Sequence, residues 1–394
     1  MSRVRVAVIG LGGVSQSVHV PLLLRSADVV ELAALADLSA ERATRFARRW
    51  GVPADAVFTN VDALVAAMRD GRLHIDAAIL ATTGSHAYDV SRLVTAGVRV
   101  LAEKPLSYSL TDLEALRAEA ARAGIDLREF LRVGYMKEFD AASRQARDLL
   151  ASVKLRAVGI EVMHPLDQSQ LAFAHLAAPP CDIPPDLLAE AVGRTERVVD
   201  EAIGADTDPA SRALYTNVIM GSIVHDIGLL RMLTGGLGEV FHGEHWGDAM
   251  PGSLHFRGRL AHTPVPWTVD WHYIDGYPDY RETVTFHHES GTIQLVFGVP
   301  YVLNLPTILR VTEPLPALGA RVSESRWMQQ EAFDNELAAL VAMVRGERPD
   351  GPGIDEAIAD ARVGQRMFAA MTASKGKTVD LSSETARTIS ASPR

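Results

Sequence analysis

The stretch VRVAVIGLGGVS, residues 4–15, decides the fold of the first part of the chain. Its first six residues are apolar or β-branched apart from Arg5, which predicts a short buried strand over 4–9. Its glycines predict a tight turn that leads into a helix. The sequence therefore opens with a strand, a turn and a helix, the first unit of an alternating α/β architecture.

The same alternation continues to about residue 125. Apolar runs that fit strands of a parallel sheet, buried on both faces, lie at 29–36, 75–81 and 98–102. Patterns with helical spacing lie between and after these runs, at 39–50, 61–69, 88–96 and 110–123. Strand and helix in turn, with short joins, predict a doubly wound α/β domain of the Rossmann type.

The turn after the first strand has the spacing of a dinucleotide-binding loop. Gly10 allows the tight turn, and Gly12 leaves no side chain where a pyrophosphate must approach the backbone. Ser15 stands where a small residue keeps helix and strand close together, and free amides at the helix start would face the phosphates. The loop residues predicted to contact the cofactor are Gly10, Leu11, Gly12, Gly13, Val14 and Ser15.

An acidic residue, Asp37, ends the second predicted strand. It follows the glycine loop at the distance expected of the acid that accepts hydrogen bonds from the adenosine ribose and repels a 2′-phosphate. Arg42 is near enough in sequence to weaken that repulsion. We therefore predict NAD as the cofactor, with NADP possible.

The pattern changes after about residue 130. A helix over 140–150 and a strand over 155–163 precede several short strand-like runs between 239 and 311, which is typical of an antiparallel sheet. The Pro-rich and charged segment 165–215 is expected to act as a lid or an oligomer contact, although its charges by themselves fit a solvated helix face equally well. We expect a dinucleotide-binding domain at 1–126, an α+β domain at 127–330, C-terminal helices that pack back toward the first domain at 331–375, and a polar tail at 376–394.

The composition excludes several classes of protein. The chain has 394 residues, a net charge of −10 and one cysteine. The negative charge argues against nucleic acid or an anionic membrane as partner, and a single cysteine favours a reducing, cytoplasmic location. We expect no signal peptide and no apolar run long enough to span a membrane. No catalytic metal is expected, because no acid or cysteine cluster accompanies the histidines at 242, 245, 287 and 288.

Three further segments carry groups suited to catalysis. TTGSH at 82–86 and EKP at 103–105 each follow a predicted strand, and strand ends line the ligand crevice of a doubly wound sheet. GSIVHD at 221–226 lies in a helix predicted over 217–233. The side chains expected to flank the cofactor are Thr82, Thr83, His86, Glu103 and Lys104.

In these motifs the sequence resembles the Gfo/Idh/MocA family, the group of glucose–fructose oxidoreductase and inositol dehydrogenase. The resemblance covers most of the chain. It rests on the loop at 10–15 with His19 and Pro21, the turn at 82–86, the motif at 103–105, GYMK at 134–137, the helix with His225, and the helix with Phe333 and Glu336.

The resemblance implies a Rossmann domain followed by a domain with a large, mostly antiparallel sheet, one face of which builds a homo-oligomer, either a dimer or a tetramer. It implies NAD(P)-linked hydride transfer to or from a small polyol, sugar or cyclitol. Lys104 and His225 are the implied catalytic residues. The ammonium of Lys104 would stabilise negative charge on the substrate oxygen, His225 would exchange the proton, and each effect contributes about 10²–10⁴-fold. Glu103 would orient Lys104 or contact the cofactor.

The sequence departs from the family four residues before His225. An Asp is common there, and this chain has Gly221. The missing carboxylate favours an altered proton relay and an altered substrate. Two other functions stay open: an epimerase, lyase or hydrolase that acts through transient oxidation by bound NAD, and a non-catalytic NAD or sugar sensor, which Gly221 supports best.

Besides Lys104 and His225, three residues are candidates for substrate contact. Asp226 adjoins His225, although it points about 100° away round the helix. Tyr135 lies at the beginning of the second domain, and His164 ends a predicted strand. A structural role where the strand crosses between domains explains Tyr135 equally well, and a surface position explains His164 equally well.

Overall fold

The computed structural model describes residues 2–165, 174–247 and 250–376. The described residues form two compact units, each discontinuous in sequence. Unit 1 contains residues 2–134, 174–199 and 333–358, and unit 2 contains 135–165, 200–247, 250–332 and 359–376. The predicted tail at 376–394 lies outside the described residues from 377 onward.

Unit 1 is built on a sheet of six parallel strands in the order β3-β2-β1-β4-β5-β6. The order reverses between β1 and β4, and this switch point is where doubly wound sheets bind their ligands. The predicted Rossmann sheet is confirmed. Its strands are β1 (Val4–Ile9), β2 (Val30–Ala36), β3 (Val57–Phe58), β4 (Ala77–Leu80), β5 (Arg99–Glu103) and β6 (Leu131–Gly134).

Helices connect these strands, as the sequence predicts. The first does not follow the glycine loop directly, because Ser15–His19 forms a π-helical turn before it. Ser39 begins the second, and its hydroxyl accepts a hydrogen bond from the Arg42 amide at 3.0 Å. The helices are α1 (Val20–Arg25), α2 (Ala40–Trp50), α3 (Val61–Arg69), α4 (Ala87–Thr95), α5 (Leu110–Arg122) and α6 (Leu127–Phe130).

The outer edge of β6 is covered by a segment from much later in the chain. The Val133 amide donates to the Pro352 carbonyl at 2.9 Å, and the Arg132 guanidinium donates to the Pro349 carbonyl at 2.6 Å. Residues 349–352 therefore satisfy the Val133 amide, a backbone donor that an edge strand would otherwise leave exposed.

Unit 2 contains an eight-stranded sheet in the order β14-β13-β12-β11-β7-β10-β9-β8. Among its described strands only β7 and β10 pair in parallel, which confirms the predicted, mostly antiparallel sheet. Its strands are β7 (Leu155–His164), β8 (Leu237–Trp246), β9 (Ser253–Leu260), β10 (Pro266–Tyr273), β11 (Arg281–His288), β12 (Gly291–Phe297), β13 (Ile308–Leu315) and β14 (Gly319–Ser325).

One face of this sheet is the core of unit 2. Alternate residues of β7, such as Ile160 and Val162, are buried, as are Trp267, Val269 and Trp271 of β10. The remaining helices along the chain are α7 (Met136–Phe139), α8 (Ala141–Leu150), α9 (Pro185–Ile203), α10 (Pro209–Ala213), α11 (Val224–Thr234), α12 (Ala332–Val344) and α13 (Ile354–Ser374).

The helix that carries His225 corrects one expectation. Pro209–Thr234 forms 26 helical residues, and an 18-residue window within them has a mean hydropathy of 1.3, which by length and composition alone is enough to cross a membrane. The sequence predicts no apolar run of membrane-spanning length. Of its most apolar window, 67% is buried inside the structure, as in the core helix of a folded domain.

Candidate active site

The glycine loop after β1 fits the predicted cofactor. Gly10 has a φ of +85°, and a Cβ there would lie 2.5 Å from the Ala81 carbonyl oxygen, so only glycine is tolerated. Ser15 donates from Oγ to the Gly10 carbonyl at 2.5 Å and closes the turn. At Gly12 a Cβ would meet no atom within 4 Å. This open backbone surface is what a pyrophosphate needs in order to approach the loop.

Asp37 ties that loop to the end of β2. Its Oδ2 accepts from the Leu11 amide at 2.8 Å, and its Oδ1 accepts from the Ser39 amide at 2.9 Å. The nearest Arg42 nitrogen lies 3.9 Å from Asp37 Oδ2. The carboxylate predicted to bind ribose thus also holds the loop in place, and the guanidinium of Arg42 faces it.

The turn after β4 contains a neutral histidine. Thr82 Oγ1 and His86 Nδ1 lie 3.0 Å apart, and His86 is buried. Burial, which the nearby Glu103 carboxylate offsets only in part, lowers the pKa of His86 to about 4. His86 therefore carries no charge at pH 7. The side chain of Thr83, in the same turn, is exposed.

Glu103 ends β5 and Lys104 follows it, at the same edge of the sheet as the glycine loop. His19 Nε2 lies 2.7 Å from Glu103 Oε1. Burial by itself would raise the pKa of Glu103, but the hydrogen bond and charge of His19, together with Lys104, outweigh it and lower the pKa. The Glu103 carboxylate is thus held charged beside Lys104. Lys104 itself is half-buried.

The segment predicted as a lid or oligomer contact is described from residue 174 onward, since 166–173 lie outside the described residues. Its residues 174–199 belong to unit 1. The Ala177 amide donates to Gln16 Oε1 at 3.0 Å, and Leu176 Cδ1 lies 3.4 Å from where a Cβ on Gly13 would be. This part of the segment contacts the glycine loop.

His225 lies half-buried in α11 of unit 2. The preceding ten residues, Leu214–Ile223, form a π-helical segment where a continuous α-helix was predicted. A π turn is wider than an α turn, so the rule that places residues i and i+4 on one face does not apply to Gly221 and His225. A Cβ on Gly221 would also lie 3.1 Å from the Thr216 carbonyl oxygen, closer than most side chains are found.

Asp226 belongs to a buried ionic cluster. Lys137 Nζ donates to Asp226 Oδ1 at 2.9 Å and also to Glu282, and the Tyr280 hydroxyl donates to Glu282 Oε2 at 2.7 Å. Burial, followed by the neighbouring Glu282 carboxylate, raises the pKa of Asp226 well above its ordinary value. Asp226 is 1% exposed, and through Lys137 and Glu282 it joins the helix of His225 to β11.

Tyr135 is buried almost as completely as Asp226. It is 2% exposed, its hydroxyl is hydrogen-bonded to Asp360, and the Arg231 guanidinium lies 5.7 Å from its ring centre. Burial raises the pKa of this phenol well above its ordinary value. These surroundings favour the structural alternative for Tyr135 over direct contact with substrate.

His164, the remaining candidate, ends β7 among aromatic rings. Its ring centre lies 5.4 Å from that of Trp271, 5.6 Å from that of Tyr273 and 5.8 Å from that of Tyr280. Trp271 Nε1 donates to Ser222 Oγ at 3.0 Å, and Ser222 precedes His225 in the same helical run. The structure thus brings His164 and its aromatic neighbours to the helix that carries His225.

Comparison with known proteins shows a likeness in the N-terminal part of the chain. Residues 4–129 match the model of an oxidoreductase family with an NAD-binding Rossmann fold, GFO_IDH_MocA. The N-terminal part of the chain is therefore similar to the Gfo/Idh/MocA family. The description of that family agrees with the cofactor predicted from the glycine loop.

Two relatives match part of the chain. Oxidoreductase YceM of Salmonella typhimurium is 30% identical over 152 residues, which are 39% of this chain and 45% of that protein. Inositol 2-dehydrogenase of Gluconacetobacter diazotrophicus is 30% identical over 148 residues, 37% of this chain and 40% of that protein. The chain therefore matches less than half the length of each Gfo/Idh/MocA relative.

The fold of the whole chain has solved counterparts. The structure of scyllo-inositol dehydrogenase from Lactobacillus casei with NAD(H) and scyllo-inositol has a TM-score of 0.64 and 16% identity, and it covers 95% of this chain and 98% of that one. At this identity the likeness establishes the fold of both units, including the sheet beyond the Gfo/Idh/MocA match.

Sequence reasoning missed the partners of several groups. His19 was recognised as part of the family resemblance but not as the partner of Glu103, 84 residues away. Glu282 was not singled out at all, although it shares Lys137 with Asp226. Glu282 shares one face of β11 with the buried residues Val284 and Phe286. An acid on a buried face needs a charged or polar partner, and this pattern could have drawn attention to Glu282.

Proposed function

We propose that the protein is an NAD(P)-dependent oxidoreductase that interconverts a secondary alcohol and a ketone of a sugar- or cyclitol-like polyol. The observation that carries the proposal is the set of groups at one edge of the parallel sheet: an open glycine loop after β1, Asp37 after β2, and Lys104 after β5. When bound, the nicotinamide supplies or accepts the hydride at its C4.

The chain itself supplies binding, charge and proton transfer. The backbone around Gly12 leaves room for the pyrophosphate, and Asp37 accepts hydrogen bonds from the adenosine ribose. The Lys104 ammonium stabilises negative charge on the substrate oxygen. In reduction His225 gives its proton to that oxygen and becomes neutral, and in oxidation neutral His225 takes the proton back.

The polyol assignment rests on the names of relatives and on one surface of unit 2. The relatives include an inositol 2-dehydrogenase and a structure that contains scyllo-inositol. The half-buried rings of His164 and Tyr273, whose centres lie 5.6 Å apart, provide flat apolar faces against which the C–H face of a cyclitol or sugar ring can pack. We extend the proposal to a cytoplasmic homo-oligomer that associates through the sheet of unit 2.

The decisive experiment compares wild type with Lys104→Ala. Dinucleotide binding is followed by calorimetry, and turnover by nicotinamide absorbance across a panel of sugars and cyclitols. We expect wild-type turnover with at least one polyol, and a loss of about 10²-fold or more in Lys104→Ala with NAD binding largely kept. Lys154→Ala is the matched control, because Lys154 is exposed.

Two results would contradict the proposal. One is a wild-type protein that binds no dinucleotide, and the other is a Lys104→Ala variant that keeps full turnover. Accumulation of reduced cofactor during turnover distinguishes net oxidation from an epimerase, lyase or hydrolase that returns the hydride. Binding of NAD and a polyol without any turnover would indicate the sensor.

A further inference from the structure

Residues 174–184, here named the cover segment, lie across the glycine loop and the start of α2. Besides the contacts of Leu176 and Ala177 with the loop, the Ala178 carbonyl accepts a hydrogen bond from the Arg42 guanidinium at 3.3 Å. All of these residues belong to unit 1. The cover segment therefore adds side chains to the part of the Rossmann domain that receives the adenosine end of a dinucleotide.

Asp182 of the cover segment occupies the N-terminus of α2. Its Oδ1 accepts from the Ser39 hydroxyl at 2.5 Å, and its Oδ2 accepts from the Glu41 amide at 2.9 Å. The hydrogen bond from Ser39, followed by the one from Glu41, lowers the pKa of Asp182. Asp182 is thus a fixed negative charge at neutral pH, and it takes up two donors that an anion could otherwise use.

Ser39 joins this carboxylate to the one that ends β2. Its amide donates to Asp37 and its hydroxyl donates to Asp182. The two acids therefore flank a single residue, and Asp37 is the acid assigned to the adenosine ribose. A 2′-phosphate on that ribose would bring a charge of about −1.5 to −2 into the neighbourhood of both carboxylates.

Arg42 supplies a cation beside these acids, but its guanidinium is already engaged. The Arg42 guanidinium lies 3.9 Å from Asp37 Oδ2 and also donates to the Ala178 carbonyl. Its charge is already shared with Asp37, and its position is set by the cover segment. The predicted ambiguity between NAD and NADP, which rested on Arg42, is thereby reduced.

We infer that Asp182 is a second specificity-determining residue for the cofactor, which excludes NADP by occupying the donors of Ser39 and Glu41 with a negative charge. The inference rests on the proposed function, because it presupposes that a dinucleotide binds at the glycine loop. The inference concerns which of NAD and NADP binds, and it makes no statement about the reaction that the cofactor supports.

The test measures binding of NAD and of NADP separately by calorimetry, at low and at high salt. The variants are Asp182→Asn, which removes the charge and keeps the shape, and Asp182→Ala, which also releases the donors of Ser39 and Glu41. Asp186→Asn is the matched control, because it removes the same charge four residues further along, at the exposed start of α9.

We expect wild type to prefer NAD. Asp182→Asn should strengthen NADP binding about tenfold at low salt, with NAD binding changed by less than about twofold. Asp182→Ala should strengthen NADP binding further, and high salt should diminish both gains. The ratio of the two affinities is measured on one preparation, so partial unfolding of a variant does not alter it.

Three outcomes would overturn the inference. These are a wild-type preference for NADP, an unchanged affinity ratio in both Asp182 variants, and an equal change of the ratio in Asp186→Asn. If wild type binds neither dinucleotide, the proposed function fails and the inference fails with it. If wild type binds NAD and the ratio does not move, only the inference fails.

Discussion

His19 and Glu103 form a hydrogen-bonded pair in the interior of unit 1, with His19 Nε2 2.7 Å from Glu103 Oε1. The pair keeps the pKa of Glu103 below its ordinary value of 4.5 even though burial acts to raise it. A carboxyl with a lowered folded-state pKa contributes stability above its unfolded pKa and loses that contribution as the pH falls.

We therefore expect His19→Ala to lower the free energy of unfolding by about 3 kcal/mol at pH 7, since it leaves a buried carboxylate without its partner. The loss should be much smaller at pH 4, where Glu103 can be protonated. Urea unfolding at the two pH values measures the difference. The control is His74→Ala, whose side chain is 70% exposed. An equal loss at both pH values would assign the effect to packing alone.

Lys137 is the shared partner of Asp226 and Glu282. Replacing it with Met keeps much of its length but leaves two buried carboxylates side by side. We expect Lys137→Met to cost about 3–5 kcal/mol of stability, and Glu282→Gln in the same chain to restore part of it. Chemical unfolding provides the measurement, with Lys154→Met, at an exposed site, as control. A Lys137→Met protein as stable as wild type would show that the cluster is not ionised.

For Asp89 we expect a pH dependence of stability whose sign is opposite to that of Glu103. Burial, opposed in part by Arg194, raises its pKa from 3.8 to about 6. Between these values the folded state holds the proton more firmly than the unfolded state, so stability decreases as the pH rises through the window and stays lower above it. Asp89→Asn should therefore be more stable than wild type by about 1–3 kcal/mol at pH 7.5 and no more stable at pH 3.5. Asp70→Asn, at an exposed site, should show no such dependence.

Two helical glycines should respond differently to alanine. At Gly193 a Cβ meets nothing within 4 Å, whereas at Gly221 it lies 3.1 Å from the Thr216 carbonyl oxygen. Gly193→Ala should stabilise the protein by about 0.5–1 kcal/mol. Gly221→Ala should give no gain, and Gly221→Asp, which restores the acid common in the family, should lower the melting temperature. A melting temperature raised equally by both alanines would mean that the π segment relaxes without cost.

The sequence alone predicted the elements whose signals are local. The strand Val4–Ile9 and the helix Val61–Arg69 begin and end where the apolar pattern indicates. The role of Gly10 could be predicted because a tight turn after a strand requires a conformation that glycine adopts easily. The parallel order of the first sheet follows from alternation of strands and helices.

The rest depends on contacts between distant residues. Asp182 meets Ser39 from 143 positions away, and Glu282 meets Lys137 from 145. A sequence shows that each of these residues is charged or polar, but not which partner the fold supplies. The π-helical segment Leu214–Ile223 was read as ordinary helix because its apolar residues satisfy either spacing.

The contact between β6 and residues 349–352 has a consequence for biosynthesis. The chain emerges from the ribosome in order, so β6 is complete long before residues 349–352 are made. During that interval the nascent Rossmann sheet offers an unprotected strand to other polypeptides, the condition under which chaperones are needed. A chain truncated before residue 349 should consequently be synthesised normally yet accumulate in inclusion bodies.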